Sequence, residues 1–245
     1  MDNQFKIYSE GDSYILYDAG LLTQPSVQLF DRDYHTNQQA QQNNSPAESS
    51  PGIGRARVVY FHHEGRALVL KHYYRGGAVA RILKDQYLGF SIEKSRAFKE
   101  WRLLKKMRKL ALPVPDAVAA HVQKNLFFYR ADLITEKVAD SQTLADILSE
   151  RKLPPEMWSK IGATIKLFHL HDIYHADLNA RNILLTDDAE VYLIDFDNSY
   201  IRTGSASWKM ANLSRLKRSL MKFKRSMSAF DFYAEDWSAL LEGYK

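Results

Sequence analysis

The stretch "HADLNARNILL", His175–Leu185, decides how this chain is read. It sets an aspartate, two asparagines and an arginine within a few residues, then runs into pure aliphatics. Polar residues at that density usually mark a loop. This loop opens after a helical stretch, closes into a strand, and is followed by a second polar–apolar signal, "LIDFD", Leu193–Asp197. Two such signals in order point to a site rather than to a surface turn.

Composition sets the bounds around that site. At 245 residues the chain is long enough for one large domain or for two small lobes around a cleft. A hydrophobic fraction of 45% is that of a globular protein. With no cysteine, disulfides and thiolate zinc sites are excluded. No apolar run is long enough to cross a bilayer, and "MDNQFKIYSEGD" lacks a signal-peptide core, so a cytoplasmic location is expected. Between Trp208 and Met227 lie Lys209, Arg215, Lys217, Arg218, Lys222, Lys224 and Arg225, with no acid. Removing these seven from the net charge of +5 leaves −2, so the basic character is one local patch that expects an anionic partner.

Along the chain, the first thirty residues alternate loosely and read as a small peripheral cap, and "NQQAQQNNSPAESSPG", Asn37–Gly52, reads as a polar linker. "RVVYF", a turn at "HHEGR" and "ALVLKHYY" form a hairpin. From Ser91 the pattern is helical, with Ala97, Phe98, Trp101, Leu104 and Met107 on one face, until "LPVPD" stops it. Strands are expected at Ala117–Val122 and Leu126–Ile134 around a turn at "QKN", then helices at "TLADILSE" and from Pro155 to about His171. A short strand pair and two terminal helical stretches complete the chain. Strands thus crowd the first half and helices the second, an α+β arrangement in two lobes. The expected divisions are an N-terminal extension with linker at 1–50, a strand-rich lobe at 51–138 and a helical lobe at 139–245.

His175-x-Asp177-x-x-x-x-Asn182 matches the catalytic-loop pattern of kinase-type phosphotransferases. In that chemistry Asp177 must reach the acceptor hydroxyl, while Asn182 must face a metal held on the triphosphate. Ile194-Asp195-Phe196-Asp197 resembles the D-F-G element with aspartate for the glycine, so Asp195 is the candidate ligand for Mg²⁺. Upstream, Gly52 and Gly54 stand where a glycine-rich loop would cover phosphates, with Arg57 at the place of the third glycine. "LVLK" reads like the lysine-bearing strand, its alternation setting Val69 and Lys71 on one face. Glu100, central on the next helix, is the candidate partner of Lys71, with Glu93 as its competitor. The strand "ADLITEKV" leads to the expected hinge, where Glu136 and Val138 offer backbone groups to adenine. ATP and Mg²⁺ are the cofactors this set implies, in a protein-kinase-like two-lobed fold.

"LVLKHYYRGG", "LPVPDAVAA", "HADLNARNILL", "IDFDNSYIR" and "DWSALLEGY" together resemble the Kdo kinase branch of the lipopolysaccharide kinases, from about Gly52 to the C-terminus. The resemblance implies ATP-dependent phosphorylation of the 4-hydroxyl of Kdo (3-deoxy-D-manno-octulosonic acid) attached to lipid A. It also implies work at the cytoplasmic face of the inner membrane, as a peripheral protein. Family members often carry arginine at the position of Lys71, so the lysine is a departure toward the general kinase pattern.

Several motifs have plainer readings. His175 is expected to prop the backbone of the D-F-G-like element, and His169 and His171 to be satisfied helix-end residues. Arg75-Gly76-Gly77 is either a tight strand exit or an arginine facing an anionic sugar. In 208–227, Leu213, Leu216, Leu220, Phe223 and Met227 recur at helical spacing. That helix can pack its apolar side inward while its basic side grips anionic lipid. No aromatic-interleaved basic strand accompanies it, so nucleic acid is not an expected partner, and no obligate protein partner is inferred. Ala176 replaces the arginine that reads an activation-loop phosphate, and no A-P-E element follows Asp195. Both favour a small or lipid-linked acceptor. The alternatives are a small atypical protein kinase, or a non-catalytic module that binds membrane or a partner.

Overall fold

The computed structural model describes residues 5–36, 58–74, 91–126, 128–204 and 207–245, with the backbone alone at 87–88. The 37–52 linker, Gly52, Gly54, Arg57 and Arg75–Gly77 lie outside the described residues. The chain forms two compact units, Met1–Lys105 with Asp116–Lys137, and Lys106–Pro115 with Val138–Lys245. It is a mixed α/β protein built on a multi-stranded antiparallel sheet.

In the first unit, β1 (Phe5–Glu10), β2 (Ser13–Asp18), β3 (Val58–His63), β4 (Arg66–His72), β6 (Ala117–Asn125) and β7 (Phe128–Glu136) form a sheet in the order β1-β2-β6-β7-β4-β3. A short β5 (Tyr87–Leu88) also pairs with β7. The β3–β4 hairpin turns on Glu64 and Gly65 alone, both at positive φ (48° and 74°), while His62 and His63 stay in the strand. Two consecutive positive φ values match the twist of the flanking strands, which is why glycine stands second. The expected turn at "QKN" is instead strand, with Gln123, Lys124 and Asn125 opposite Arg130, Tyr129 and Phe128. The strands stay paired as far as Asn125 opposite Phe128, and Leu126, the next residue, is at φ 50°. Polar edge residues in a long hairpin look like turn residues when read singly.

The first residues also differ from the expected peripheral cap. β2 pairs with β6 from Ser13↔Gln123 to Tyr17↔Ala119, so the β1–β2 hairpin extends the sheet. Ile15, Leu22, Leu29 and Phe30 from this region join Phe61, Leu68, Leu70, Val118 and Ile134 in one hydrophobic cluster. Helix α1 (Arg96–Lys109) carries the expected stripe, with Ala97, Phe98, Trp101, Leu104 and Met107 all buried. Its Lys105 is buried between Asp18 (2.5 Å) and Asp116 (2.6 Å), which ties the helix to β2.

The second unit is built on α2 (Leu144–Glu150), α3 (Pro155–Leu170), α4 (Ser207–Ser226) and α5 (Ala234–Tyr244). Thr143 caps α2 by accepting from Asp146 N–H, and Pro155 opens α3 at a position where no donor is needed. Helices α3 and α5 touch backbone to backbone. A Cβ on Gly162 would lie 2.0 Å from the Leu240 carbonyl oxygen, and one on Gly243 would lie 1.9 Å from that of Ser159. Strands β8 (Ser141–Thr143), β10 (Ile183–Thr186) and β11 (Val191–Leu193) form a small sheet in the order β11-β10-β8, and β9 (Ile173–Tyr174) pairs with β12 (Tyr200–Ile201). The aliphatics after the opening motif, Ile183 and Leu185, are buried and lie opposite Leu193 and Val191 of β11.

Candidate active site

In the first unit, strand alternation places Leu68 and Leu70 in the hydrophobic cluster and turns Lys71 to the opposite face. There the Lys71 ammonium meets both carboxylate oxygens of Glu100, at 2.9 and 3.1 Å. Glu100 is buried and also accepts from the Tyr73 hydroxyl at 2.5 Å, while Lys71 sits 4.6 Å from the centre of the Tyr73 ring. A buried carboxylate is costly unless charge and hydrogen bonds offset its desolvation, and here Lys71 and Tyr73 do so. Glu93 lies in the turn before α1 and pairs with Arg102 instead. Of the two acids, Glu100 is therefore the one beside Lys71.

Glu136 and Val138 have part of their hydrogen bonding already committed. The Glu136 N–H donates to the Asp116 carbonyl (2.9 Å) and its carboxylate takes Arg66 (2.5 Å), while the Val138 carbonyl accepts from Ser141 Oγ (2.8 Å). What Val138 retains as a donor is its backbone N–H.

In the second unit the opening motif is an ordered loop held at both ends. Asp177 N–H donates to His175 Nδ1 (3.2 Å), so that nitrogen is an acceptor and Nε2 carries the proton. Nε2 in turn donates to the Ile194 carbonyl (3.0 Å). A buried imidazole with both nitrogens so committed is structural, and it props the backbone just ahead of Asp195, as its position in the sequence suggested. Ile194 N–H returns to the Asn182 carbonyl (3.0 Å), and Ala176 N–H donates to Ser199 Oγ (3.0 Å). The Phe196 ring, fully buried between Phe168 and His175, anchors the second loop. Asp195 itself takes φ 62°, a left-handed conformation that a non-glycine residue holds at a cost.

The Asp177 carboxylate is exposed, accepting from Asn179 Nδ2 at 3.1 Å and from Arg215 at 3.2 Å. The Asn182 amide nitrogen donates to the Asp177 carbonyl (2.9 Å), so its amide oxygen is the end left over. An amide oxygen and the Asp195 carboxylate are hard donors that suit Mg²⁺, an ion usually held by one or two side chains together with substrate phosphates. Among the described residues no group of three or more His, Asp or Glu forms a self-sufficient metal site.

Helix α4 braces this loop through one row of side chains. Asn212 accepts from His175 N–H (3.3 Å) and donates to the His175 carbonyl (2.9 Å). Arg215 reaches Asp177, Ser219 Oγ accepts from Ala180 N–H (3.3 Å), and the Phe223 ring lies under Arg181 (5.2 Å). Asn212 Oδ1 also meets His169 Nε2 (3.4 Å), whose Nδ1 partners the Tyr244 hydroxyl (2.7 Å). Burial pushes His169 down to about 4, so it is neutral and satisfied.

The profile described as "Lipopolysaccharide kinase (Kdo/WaaP) family" matches residues 38–244. The chain belongs to this family. Among its relatives, the 3-deoxy-D-manno-octulosonic acid kinase of Vibrio vulnificus is 37% identical over 235 residues, 96% of either chain. Those of Mannheimia succiniciproducens and Pasteurella multocida are 42% and 43% identical over 180 residues, each covering 72% of this chain and 74% of the relative.

What sequence reasoning missed in this family member is the bracing row. Asn212, Arg215, Ser219 and Phe223 sit three or four apart, so they share one face of α4. That spacing is legible in the sequence, but an apolar-and-basic division of the helix wheel places Phe223 and Arg215 on different sides. Leu213, Leu216 and Leu220 are buried as expected, whereas Met227 lies past the helix end and is exposed.

Proposed function

We propose that this chain transfers the γ-phosphoryl group of ATP to the 4-hydroxyl of Kdo carried on lipid A, in a protein-kinase-like fold of two lobes. The observation that carries the reading is the exposed Asp177 carboxylate, on a loop held through His175 by Ile194 and Asn212, in a lipopolysaccharide kinase family member. Named relatives that act on Kdo support the acceptor. In this reading Asp177 orients the hydroxyl and takes its proton. The new oxygen–phosphorus bond forms as the bond from the γ-phosphorus to the ADP oxygen breaks. Lys71, set by Glu100, holds the phosphates, with Gly52 and Gly54 contributing to their cover. Val138 N–H and the backbone of Glu136 meet adenine. Asn182 and Asp195 would hold Mg²⁺, which when bound neutralises charge on the β- and γ-phosphates.

Among the described residues no helix is long and apolar enough to cross a membrane. Residues 208–227 supply instead a surface that suits an anionic bilayer. Met210 and Met221 are exposed among cations on the outer side of α4, the mixture that lets a helix lie at a headgroup interface. This supports peripheral attachment at the cytoplasmic side of the inner membrane.

The deciding experiment follows labelled phosphate from ATP and Mg²⁺ to Kdo-lipid A, with Asp177→Ala as control. Label on the glycolipid that falls by about 10²- to 10⁴-fold in the variant is the expected result. Label on added proteins but not on the glycolipid would refute the acceptor.

A further inference from the structure

The seven cations of α4 do not have equal surroundings. Lys209 lies 3.7 Å from Asp172, Lys217 lies over the Trp237 ring (5.3 Å) and Lys224 over the Tyr233 ring (3.8 Å). Arg215, Arg218, Lys222 and Arg225 remain, all exposed, and among the described residues none of the last three has an acid or ring partner. Their spacing of three, four and three residues makes them a single ridge of the helix, about 15 Å long. The ridge begins at Arg215, whose one polar contact among the described residues is a guanidinium nitrogen on Asp177 Oδ1. Most of its donor fork is therefore unused, and the pair is open to solvent on both sides, so the contact itself stabilises little.

We infer that Arg215 reads the carboxylate of the acceptor sugar, and so selects a sugar acid over a neutral sugar. The inference rests on the assignment of Asp177 as the group that meets the acceptor hydroxyl. In a 3-deoxy-octulosonic acid the acid is C1, the ring carbon bearing it is C2, and C4 carries the hydroxyl. Four bond lengths near 1.5 Å separate the carboxyl carbon from that hydroxyl oxygen, a span of roughly 5 Å at most. A hydroxyl seated on Asp177 therefore brings the carboxylate within reach of the guanidinium that already touches Asp177. Arginine's planar fork matches a carboxylate in two parallel hydrogen bonds, which lysine cannot reproduce. The rest of the ridge draws the remaining anionic groups of the glycolipid along the same face, away from the catalytic loop.

The test compares two acceptors, Kdo-lipid A and the same glycolipid with its C1 acid converted to the amide, and three proteins, wild type, Arg215→Gln and Arg215→Lys. The wild type is expected to lose about 10- to 100-fold in kcat/KM on the amide, the range of a charged hydrogen-bonded pair. Arg215→Gln loses a similar factor on the acid and no further factor on the amide, because each change removes the same contact. Arg215→Lys falls between. KM for ATP and the melting temperature stay at wild-type values, which separates this role from a structural one. A wild type that treats acid and amide alike overturns the inference without any variant. Losses that multiply when the two changes are combined overturn it too, since Arg215 would then be serving Asp177 rather than the substrate. No transfer by the wild type to either acceptor would refute the Kdo reading itself, and the inference with it.

Discussion

Asn212→Leu is the sharpest test of how the second unit is built. Asn212 is buried, and its side chain connects α4 to the loop carrying Asp177 and to the end of α3. Leucine branches at the same carbon with as many heavy atoms and is somewhat bulkier, so the change removes hydrogen bonds without opening a cavity. One good bond is lost, to the His175 carbonyl at 2.9 Å, together with two long ones, from His175 N–H at 3.3 Å and His169 Nε2 at 3.4 Å. The short bond in a buried setting is worth about 1–2 kcal/mol and the long ones about 0.5–1 kcal/mol each, so the loss is about 3 kcal/mol. For a chain of this size that corresponds to a fall in melting temperature of about 6–12 °C. Because Asp177 lies two residues beyond His175, kcat should fall as well, by about 10-fold or more, with KM for ATP unmoved. Thermal unfolding and initial-rate kinetics on the same preparation read both. A variant that melts within 2 °C of wild type and keeps its kcat would refute the claim that α4 sets this loop through Asn212.

The remaining predictions are more local. Glu100→Ala strips a mostly buried Lys71 of its carboxylate and should cost about 3–5 kcal/mol in urea unfolding while raising KM for ATP; Glu93→Ala, at a solvent-exposed pair, should change stability by less than about 1 kcal/mol. His169 must stay neutral to fold, so stability is full above its unfolded value near 6.5 and declines as pH falls from there toward 4. The unfolded chain takes up a proton that the native state refuses, and about 2 kcal/mol should be lost between pH 7.5 and 5, a slope that His169→Gln flattens in urea titrations. Gly162→Ala forces α3 and α5 apart because the new Cβ meets the Leu240 backbone, and should cost at least about 3 kcal/mol by thermal unfolding; an unchanged melting temperature would show that the helices can separate freely.

Periodicity carried most of the elements. The stripe Ala97, Phe98, Trp101, Leu104 and Met107 is buried as read, because a helix repeats every 3.6 residues whatever it packs against. The β3–β4 hairpin and the helices from Leu144 and Pro155 follow for the same local reason. Boundaries failed where local cues were ambiguous: "QKN" looks like a turn until its register across β7 is known, and the first strands look peripheral until β2 is paired with β6.

The candidate site divides along the same line. Asp177, Asn182 and Asp195 stand within one stretch of chain, so their order and spacing alone proposed a shared chemistry, and the family match spans all three positions. That Glu100 rather than Glu93 meets Lys71 depends on how α1 lies on the sheet, a relation between residues 29 positions apart. The Asn212–His175 and Arg215–Asp177 contacts span 37 and 38 positions, and nothing local distinguishes Arg215 from the six other cations of its helix. His72, Asp132 and His121 likewise meet in one row of the sheet only because β4, β7 and β6 align in that register. Short-range sterics and hydrophobic spacing determine which elements form and in what order reactive residues appear. Which charged group faces which is decided by packing, since a charge leaves no periodic trace of its partner until the elements carrying both have come together.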